Sequence, residues 1–292
     1  MAAFSRPTKE QLGTLTFMER AAFEVGDFSS RWCVVPAKAW NTVFMGFMLW
    51  ATSSRRLHVH GLPNLAKFGS KDRVLVACNH RSFFDFFVIS RIVFFQTKLS
   101  HRILFPVRSS FFYDHPLGPI VNATMSGMRM FPPVMRGDSV RRRATFNEYS
   151  VQRSIEELSV PGTVMGLHPE GTRNKNDDPY KLLRARAGVG RIALGAPDAH
   201  VIPAFVLGIS NNLPREFAAN AFRPEETRID CFIGPEVRLD DLRMLPATPS
   251  IAQRASERML DAVRALGHEH RRQFGDATAA SAELADAARE VD

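Results

Sequence analysis

Cysteine is scarce in this chain. Cys33, Cys78 and Cys231 are widely separated, odd in number and without Cys-x-x-Cys spacing. They support neither a disulfide framework nor a thiolate zinc site, and they fit a reducing compartment. The histidines do not fill that gap. His58, His60, His101 and His115 show no metal-ligand spacing, His268 and His270 fall at a basic helix end, and no metal is expected. No Gly-x-Ser-x-Gly elbow surrounds Ser82, which removes the serine-hydrolase reading of that residue. No charged region leads into a cleavable signal at residue 1, so export is not expected. Long apolar runs are missing too. Lys38 and Asn41 interrupt residues 32–51, and the stretch after Thr42 is shorter than the roughly 20 residues a bilayer span needs. There are only three tyrosines, and no nucleic-acid fold signature accompanies the net charge of +8, so no nucleic-acid partner is expected. No internal repeat is visible.

Two short polar strings stand out, each beginning where an apolar run ends. The first is Asn79-His80-Arg81-Ser82-Phe83-Phe84-Asp85. Residues 73–78 read as a buried strand, and 82–95 are apolar and long enough to form a helix. His80 then lies in the turn between them, and Asp85 meets it only by pointing back from the first helical turns. A carboxylate on one imidazole nitrogen sets the tautomer and supports the positive charge that forms when the other nitrogen takes a proton from a hydroxyl. His80 is thus a candidate general base. The alternative is that Ser82 or Asn79 caps the helix and Asp85 only complements its dipole.

The second string is His168-Pro169-Glu170-Gly171-Thr172-Arg173, after the strand-like residues 163–167. In open α/β sheets ligands bind at the carboxyl ends of the strands. Gly171 allows a close backbone approach to an anion, and the Arg173 guanidinium can grip phosphate or carboxylate. Glu170 could order that arginine or bond an acceptor hydroxyl. The alternative is a surface turn with a Glu–Arg ion pair.

Together the strings resemble conserved blocks of the glycerolipid acyltransferases typified by 1-acylglycerol-3-phosphate acyltransferase. Asn79 to Asp85 is similar to Asn-His-x-x-x-x-Asp, and His168 to Arg173 to Phe-Pro-Glu-Gly-Thr-Arg. Arg186-Ala187-Gly188-Val189-Gly190-Arg191-Ile192-Ala193 resembles the basic-Gly-x-x-Arg-x-Ala helix that follows, and Val201-Ile202-Pro203-Ala204-Phe205 the fourth block. The resemblance covers roughly residues 58–235. It implies acyl transfer from a coenzyme A or acyl-carrier-protein thioester to a glycerolipid hydroxyl, most simply lysophosphatidic acid to phosphatidic acid. His80 is then the base, Asp85 orients it, and Glu170, Gly171 and Arg173, with Thr172 in the same turn, hold the acceptor phosphate. Ser82 is left to cap the helix or contact the oxyanion. Beyond the thioester co-substrate, no cofactor is implied.

Two departures from the family pattern widen the acceptor choice. His168 stands where the family has an aromatic residue. The second block, residues 127–136, matches Gly-x-x-Phe-x-x-Arg only with two added residues, so Arg136 is the second anion ligand and Arg129 its competitor. Another lyso-lipid, an ornithine lipid or a glycolipid is the alternative acceptor. A catalytically silent lipid-binding protein is the alternative of a different class.

At 292 residues and 45% hydrophobic, the chain can bury one sizeable core. Strand-like runs near 55–60, 73–78, 101–107, 128–135, 163–168, 200–207 and 228–234 alternate with helix-like runs near 82–96, 109–126, 139–158 and 181–196. This predicts an α/β fold, a mostly parallel sheet flanked by helices on both faces, preceded by an N-terminal membrane-associating helical segment. The segments are 1–57, a catalytic domain at 58–247, and a C-terminal helix with an acidic, alanine-rich tail at 248–292. That last helix opens at Pro249 and runs to roughly Arg272. Trp32, Trp40 and Trp50 suit a headgroup zone, and Arg31, Lys38, Arg55 and Arg56 could reach anionic lipid. A tilted or re-entrant span and a helix packed on the core are the other readings of that segment. Basic residues at 141–143, 175, 181, 184, 186 and 191 could attract the acceptor, the donor's phosphates or an anionic bilayer. The phenylalanines, such as Phe83, Phe84, Phe86 and Phe87, belong mainly to the core, with some free to line an acyl groove. The reading is of a membrane-associated protein on the cytoplasmic face.

Overall fold

Along residues 73–78 successive side chains point to opposite faces. Val74, Val76 and Cys78 enter one core cluster, while Leu75 and Ala77 enter another. A strand apolar on both faces must be sandwiched between helices, and this one is. The computed structural model describes residues 4–135 and 140–287, and the side chains at 110–111, 140–143 and 276–287 fall outside that description. Its strands are β1 (Leu57–His60), β2 (Arg73–Cys78), β3 (Arg102–Leu104), β4 (Val107–Arg108), β5 (Pro133–Val134), β6 (Thr163–Leu167), β7 (Ala199–Leu207) and β8 (Ile229–Ile233). Six of them form one sheet in the order β1-β8-β7-β2-β6-β3, with each neighbouring pair parallel except β7 and β8. β4 and β5 pair separately.

The helices of seven or more residues are α1 (Phe17–Trp32), α2 (Val34–Trp40), α3 (Gly46–Ser53), α4 (Asp85–Gln96), α5 (Gly118–Ser126), α6 (Val140–Leu158), α7 (Ala187–Gly195), α8 (Leu213–Phe222) and α9 (Pro249–Ala287). On one face α4 buries Val88, Ile89, Ile92 and Val93 against Val74, Val76, Ile202 and Val206. On the other, α7 and α9 bury Ile192, Ala193, Ala255 and Met259 against Leu75, Met165 and Val201. The expected α/β architecture is present. α9 is one of its layers: the Ser256 hydroxyl accepts the Gly190 amide at 2.7 Å and donates to the Arg186 carbonyl at 2.8 Å. It continues as helix well past Arg272, to Ala287.

Three expected elements differ. Residues 128–135 do not join the main sheet, since Pro132 and Pro133 offer no amide hydrogens and only Pro133–Val134 pairs, with β4. The expected helix 109–126 is split: a short turn at Ser109–Phe112 is separated from α5, where Pro116 disfavours helical geometry at His115. The expected helix 181–196 begins only at Ala187; the residues before it are tied to the second string, the Leu183 amide donating to the Glu170 carboxylate at 2.7 Å and the Arg186 amide to the Pro169 carbonyl at 2.8 Å.

The N-terminal segment is docked on the catalytic fold. Thr16 and Glu19 form a capping box that starts α1. Phe23 of α1 packs against Phe131, Phe146 and Tyr149, and Asp27 accepts from the buried Arg153 guanidinium at 2.6 Å. Beyond α1, Ala37, Asn41, Met45 and Leu49 form a buried stripe at four-residue spacing. Met45 and Leu49 pack on Phe84 of the His80 block and on Phe87 of α4. The opposite side is apolar and open to solvent: Val43 is 73% exposed, Phe47 60% and Trp50 51%. Among the described residues no helix is long and apolar enough to cross a membrane, so the tilted span is set aside. Two of the cations assigned to lipid are otherwise engaged. Arg56 is buried and pairs with Glu216 at 2.5 Å, and Arg31 pairs with Asp27 at 2.8 Å.

Candidate active site

β2 and β6 are hydrogen-bonded neighbours, so the two polar strings that follow them leave the same sheet edge side by side. The Asn79 side chain pins the first turn to β7, donating to the Val206 carbonyl at 2.8 Å and accepting the Val206 amide at 2.7 Å. It spans the strands as a backbone amide would and caps nothing. His80 follows in the turn, and Asp85 is the first residue of α4. Asp85 Oδ2 accepts the amides of Arg81 at 2.8 Å and Ser82 at 2.9 Å, and it lies 3.3 Å from His80 Nδ1. A carboxylate held this way accepts a hydrogen bond from Nδ1–H and so leaves Nε2 as the unprotonated nitrogen.

The second turn is stitched to the first by Glu170, whose carboxylate faces inward. Its Oε1 accepts the His80 amide at 3.0 Å, and its Oε2 accepts the Leu183 amide. The Asn174 amide donates to the His80 carbonyl at 2.6 Å, and Arg81 Nη1 to the Asn176 carbonyl at 2.8 Å. Glu170 is therefore a brace between turns, since both its oxygens are engaged with backbone. Gly171 adopts φ of 65°, a left-handed conformation that a side chain would strain. Beyond it Thr172 is half-buried and Arg173 is exposed, with Arg173 Nη1 donating to Asn211 Oδ1 at 3.3 Å.

His168 has a place at this site that the sequence reading did not give it. Its ring stacks on His80 with centroids 3.7 Å apart and planes 8° from parallel. Its Nδ1 donates to the Cys78 carbonyl at 3.0 Å, an assignment that follows because a carbonyl only accepts. Phe86 packs on His168 at 4.3 Å, and it fits there because Gly166 carries no side chain: a Cβ at 166 would lie 2.3 Å from the Phe86 ring. The one sequence signal was histidine in place of the family's aromatic residue.

Burial dominates the electrostatics. It pushes the Asp85 carboxyl up to about 7, against the pull of His168 and the two amides. Burial and then the Arg173 guanidinium hold His80 down at about 4. His168 is held at about 3 by burial and by His80, and burial raises Glu170. Glu170 on the His80 amide, and Asn211 shared by the Phe83 amide and Arg173, put the two blocks in one site.

His80, Asp85 and His168 bring ligand-type atoms within 4.8 Å of one another. In stacked parallel rings, however, the in-plane lone pairs run side by side and do not converge on an ion about 2.0–2.1 Å from each nitrogen. Asp85 Oδ2 is also occupied by two amides. The cluster fits an acid–base pair better than a metal site.

The remaining candidates lie elsewhere. Ser82 is buried, and its hydroxyl donates to the Ser210 carbonyl at 2.9 Å and accepts the Phe84 amide at 3.0 Å, so it braces the turn and has no proton left for an oxyanion. Arg129 is 2% exposed, points to the Cys33 carbonyl at 3.1 Å and is held down at about 10 by burial. This removes it as an anion ligand. Arg136 lies outside the described residues.

An imidazole–carboxylate pair beside an exposed guanidinium, at the carboxyl edge of a mostly parallel sheet, is suited to transfer chemistry on an anionic substrate. The chain matches the acyltransferase family over residues 56–207, just over half of its length, and belongs to it. The match takes in both polar strings and ends at β7. No curated protein matches the chain.

Proposed function

We propose that the protein is a 1-acylglycerol-3-phosphate O-acyltransferase that moves a fatty acyl group from acyl-coenzyme A or acyl-acyl-carrier-protein to lysophosphatidic acid. The observation that carries this is the pairing of His80, backed by Asp85 on Nδ1, with an exposed Arg173 tied through Asn211 to the Phe83 amide of the same block. Nε2 takes the acceptor hydroxyl's proton as the oxygen attacks the thioester carbon. The C–O bond forms, the tetrahedral oxyanion collapses, the C–S bond breaks, and the leaving thiolate recovers the proton from His80. Arg173 holds the acceptor phosphate. Exposed Lys175, Lys181, Arg184 and Arg186 surround the second turn and supply attraction for the donor's phosphates; Arg191 is already paired with Glu148.

Purified protein with acyl-coenzyme A or acyl carrier protein and a panel of lyso-lipids tests this. Thiol release should require the lyso-lipid and be fastest with lysophosphatidic acid. Release that is equal without any acceptor would mean hydrolysis, and a preference for an ornithine lipid or glycolipid would move the assignment to that acceptor. Arg173→Ala should raise the KM for lysophosphatidic acid about 10- to 100-fold, the loss of one charge-assisted contact, with the donor KM unchanged. An unchanged acceptor KM would remove the phosphate role.

The outward apolar face of residues 43–50 supports seating on the membrane surface, since its inner side packs directly on Phe84 and so brings the lipid side close to His80. A cytoplasmic-face seat agrees with the three free cysteines. In flotation with vesicles containing anionic lipid, a Val43→Glu/Phe47→Glu variant should partition at least about tenfold less than the parent, given about 1.5–3 kcal/mol for burying such side chains. Equal partitioning would contradict the seat.

A further inference from the structure

The loop after β7 brings a third segment to the site. Asn211 Oδ1 stands where the first turn and the second meet: it accepts the Phe83 amide at 2.8 Å, Arg173 Nη1 at 3.3 Å and lies 3.3 Å from Ser82 Oγ. Ser210 next to it accepts the Ser82 hydroxyl, and Asn212 caps α8 by accepting the Arg215 amide at 3.0 Å. The segment is thus held at both sides of Asn211, and the guanidinium is steered by an oxygen fixed to the His80 block at Phe83. That oxygen is neutral. An amide orients a guanidinium without cancelling its charge, whereas a carboxylate in the same place would pair with it and compete with any anion. The exposure of both side chains leaves the far side of the guanidinium open.

We infer that Asn211 is a positioning residue that aims Arg173 at the anionic group of the acceptor while leaving its positive charge uncompensated, and so biases the enzyme toward phosphate-monoester acceptors. This rests on the reading of Arg173 as the acceptor's anion site. Asn211→Asp is the discriminating variant, because it keeps an acceptor oxygen for the Phe83 amide and changes the charge. Steady-state kinetics would use two acceptors, lysophosphatidic acid and monoacylglycerol, the same lipid without the phosphate. Asn211→Asp should raise the KM for lysophosphatidic acid about three- to tenfold, with kcat, the donor KM and the monoacylglycerol KM near the parent's. Asn211→Ala should raise the same KM and also lower the melting temperature, since the Phe83 amide loses its partner. Arg173→Ala is run in parallel. If it raises the lysophosphatidic acid KM and Asn211→Asp does not, Arg173 acts without Asn211 and the inference falls. If neither variant moves it, the anion-site reading of Arg173 falls as well. Equal rises for both acceptors would mean that Asn211 only braces the turn, which also overturns the inference.

Discussion

Replacing His80 with alanine is expected to lower kcat about 100- to 10,000-fold, the usual contribution of a positioned general base, with both KM values within a few-fold of the parent's. The residue is well suited to this test because its backbone, and not its ring, ties the two turns together. Its amide donates to Glu170 and its carbonyl accepts from Asn174, and alanine keeps both. What is lost is Nε2 and one face of the His168 stack. The fold should therefore persist and the acceptor should still bind, so the effect falls on the chemical step. Single-turnover measurement of thiol release with saturating lyso-lipid reads it directly. Turnover within tenfold of the parent would take His80 out of the mechanism.

Asp85→Asn is expected to cost about 100- to 1,000-fold in kcat/KM while leaving the melting temperature at pH 8 equal to or above the parent's. Oδ2 accepts two amides, so asparagine keeps its oxygen at that position and the His80 tautomer survives. The negative charge that supports the imidazolium does not. The same reasoning sets the pH profile. Asp85 titrates at about 7 and His80 at about 4, so from pH 5 upward His80 is already neutral and the group that changes is the carboxyl. As the pH falls through about 7, Asp85 gains a proton, the base loses its support, and kcat/KM should fall about tenfold per unit. In Asp85→Asn that limb should be absent. The stability consequence has the opposite sense: a carboxyl raised in the folded state contributes stability that is present below its unfolded value of 3.8 and is lost as the pH rises through about 7. Asparagine escapes that loss. A parent profile that is flat from pH 5 to 8, or a variant within threefold of the parent, would contradict this account.

Much of the fold was legible because it depends on local periodicity. β2, β6 and β7 are continuous apolar runs, and each reads as a strand buried on both faces. Residues 128–135 were read as a strand on the same grounds, yet their apolar side chains are buried by α1, α6 and the loop at Tyr113, and two prolines withhold the ladder's donors. The helix expected from 181 begins only at Ala187, and the residues before it are held by contacts distant along the chain: Leu183 donates its amide to Glu170 and Arg186 donates its amide to the Pro169 carbonyl.

The candidate site divides in the same way. His80 and Asp85 are five residues apart, and a strand–turn–helix reading was enough to bring them together. The resemblance puts Glu170 on the acceptor phosphate and Arg129 in the second block, and Ser82 has an oxyanion contact as one of its two readings, yet each of these side chains is turned into the protein. His168 and Asn211, which touch the reacting block, carried little or no local signal. The sequence by itself determined the strands of the sheet, the family, and which residue types meet at its carboxyl edge, since period and motif are properties of neighbouring residues. Which way each polar side chain points was decided only by tertiary structure: the backbone amides that orient them, such as that of His80 for Glu170 and that of Phe83 for Asn211, lie 90 and 128 residues away along the chain, and no local pattern encodes a contact at that separation.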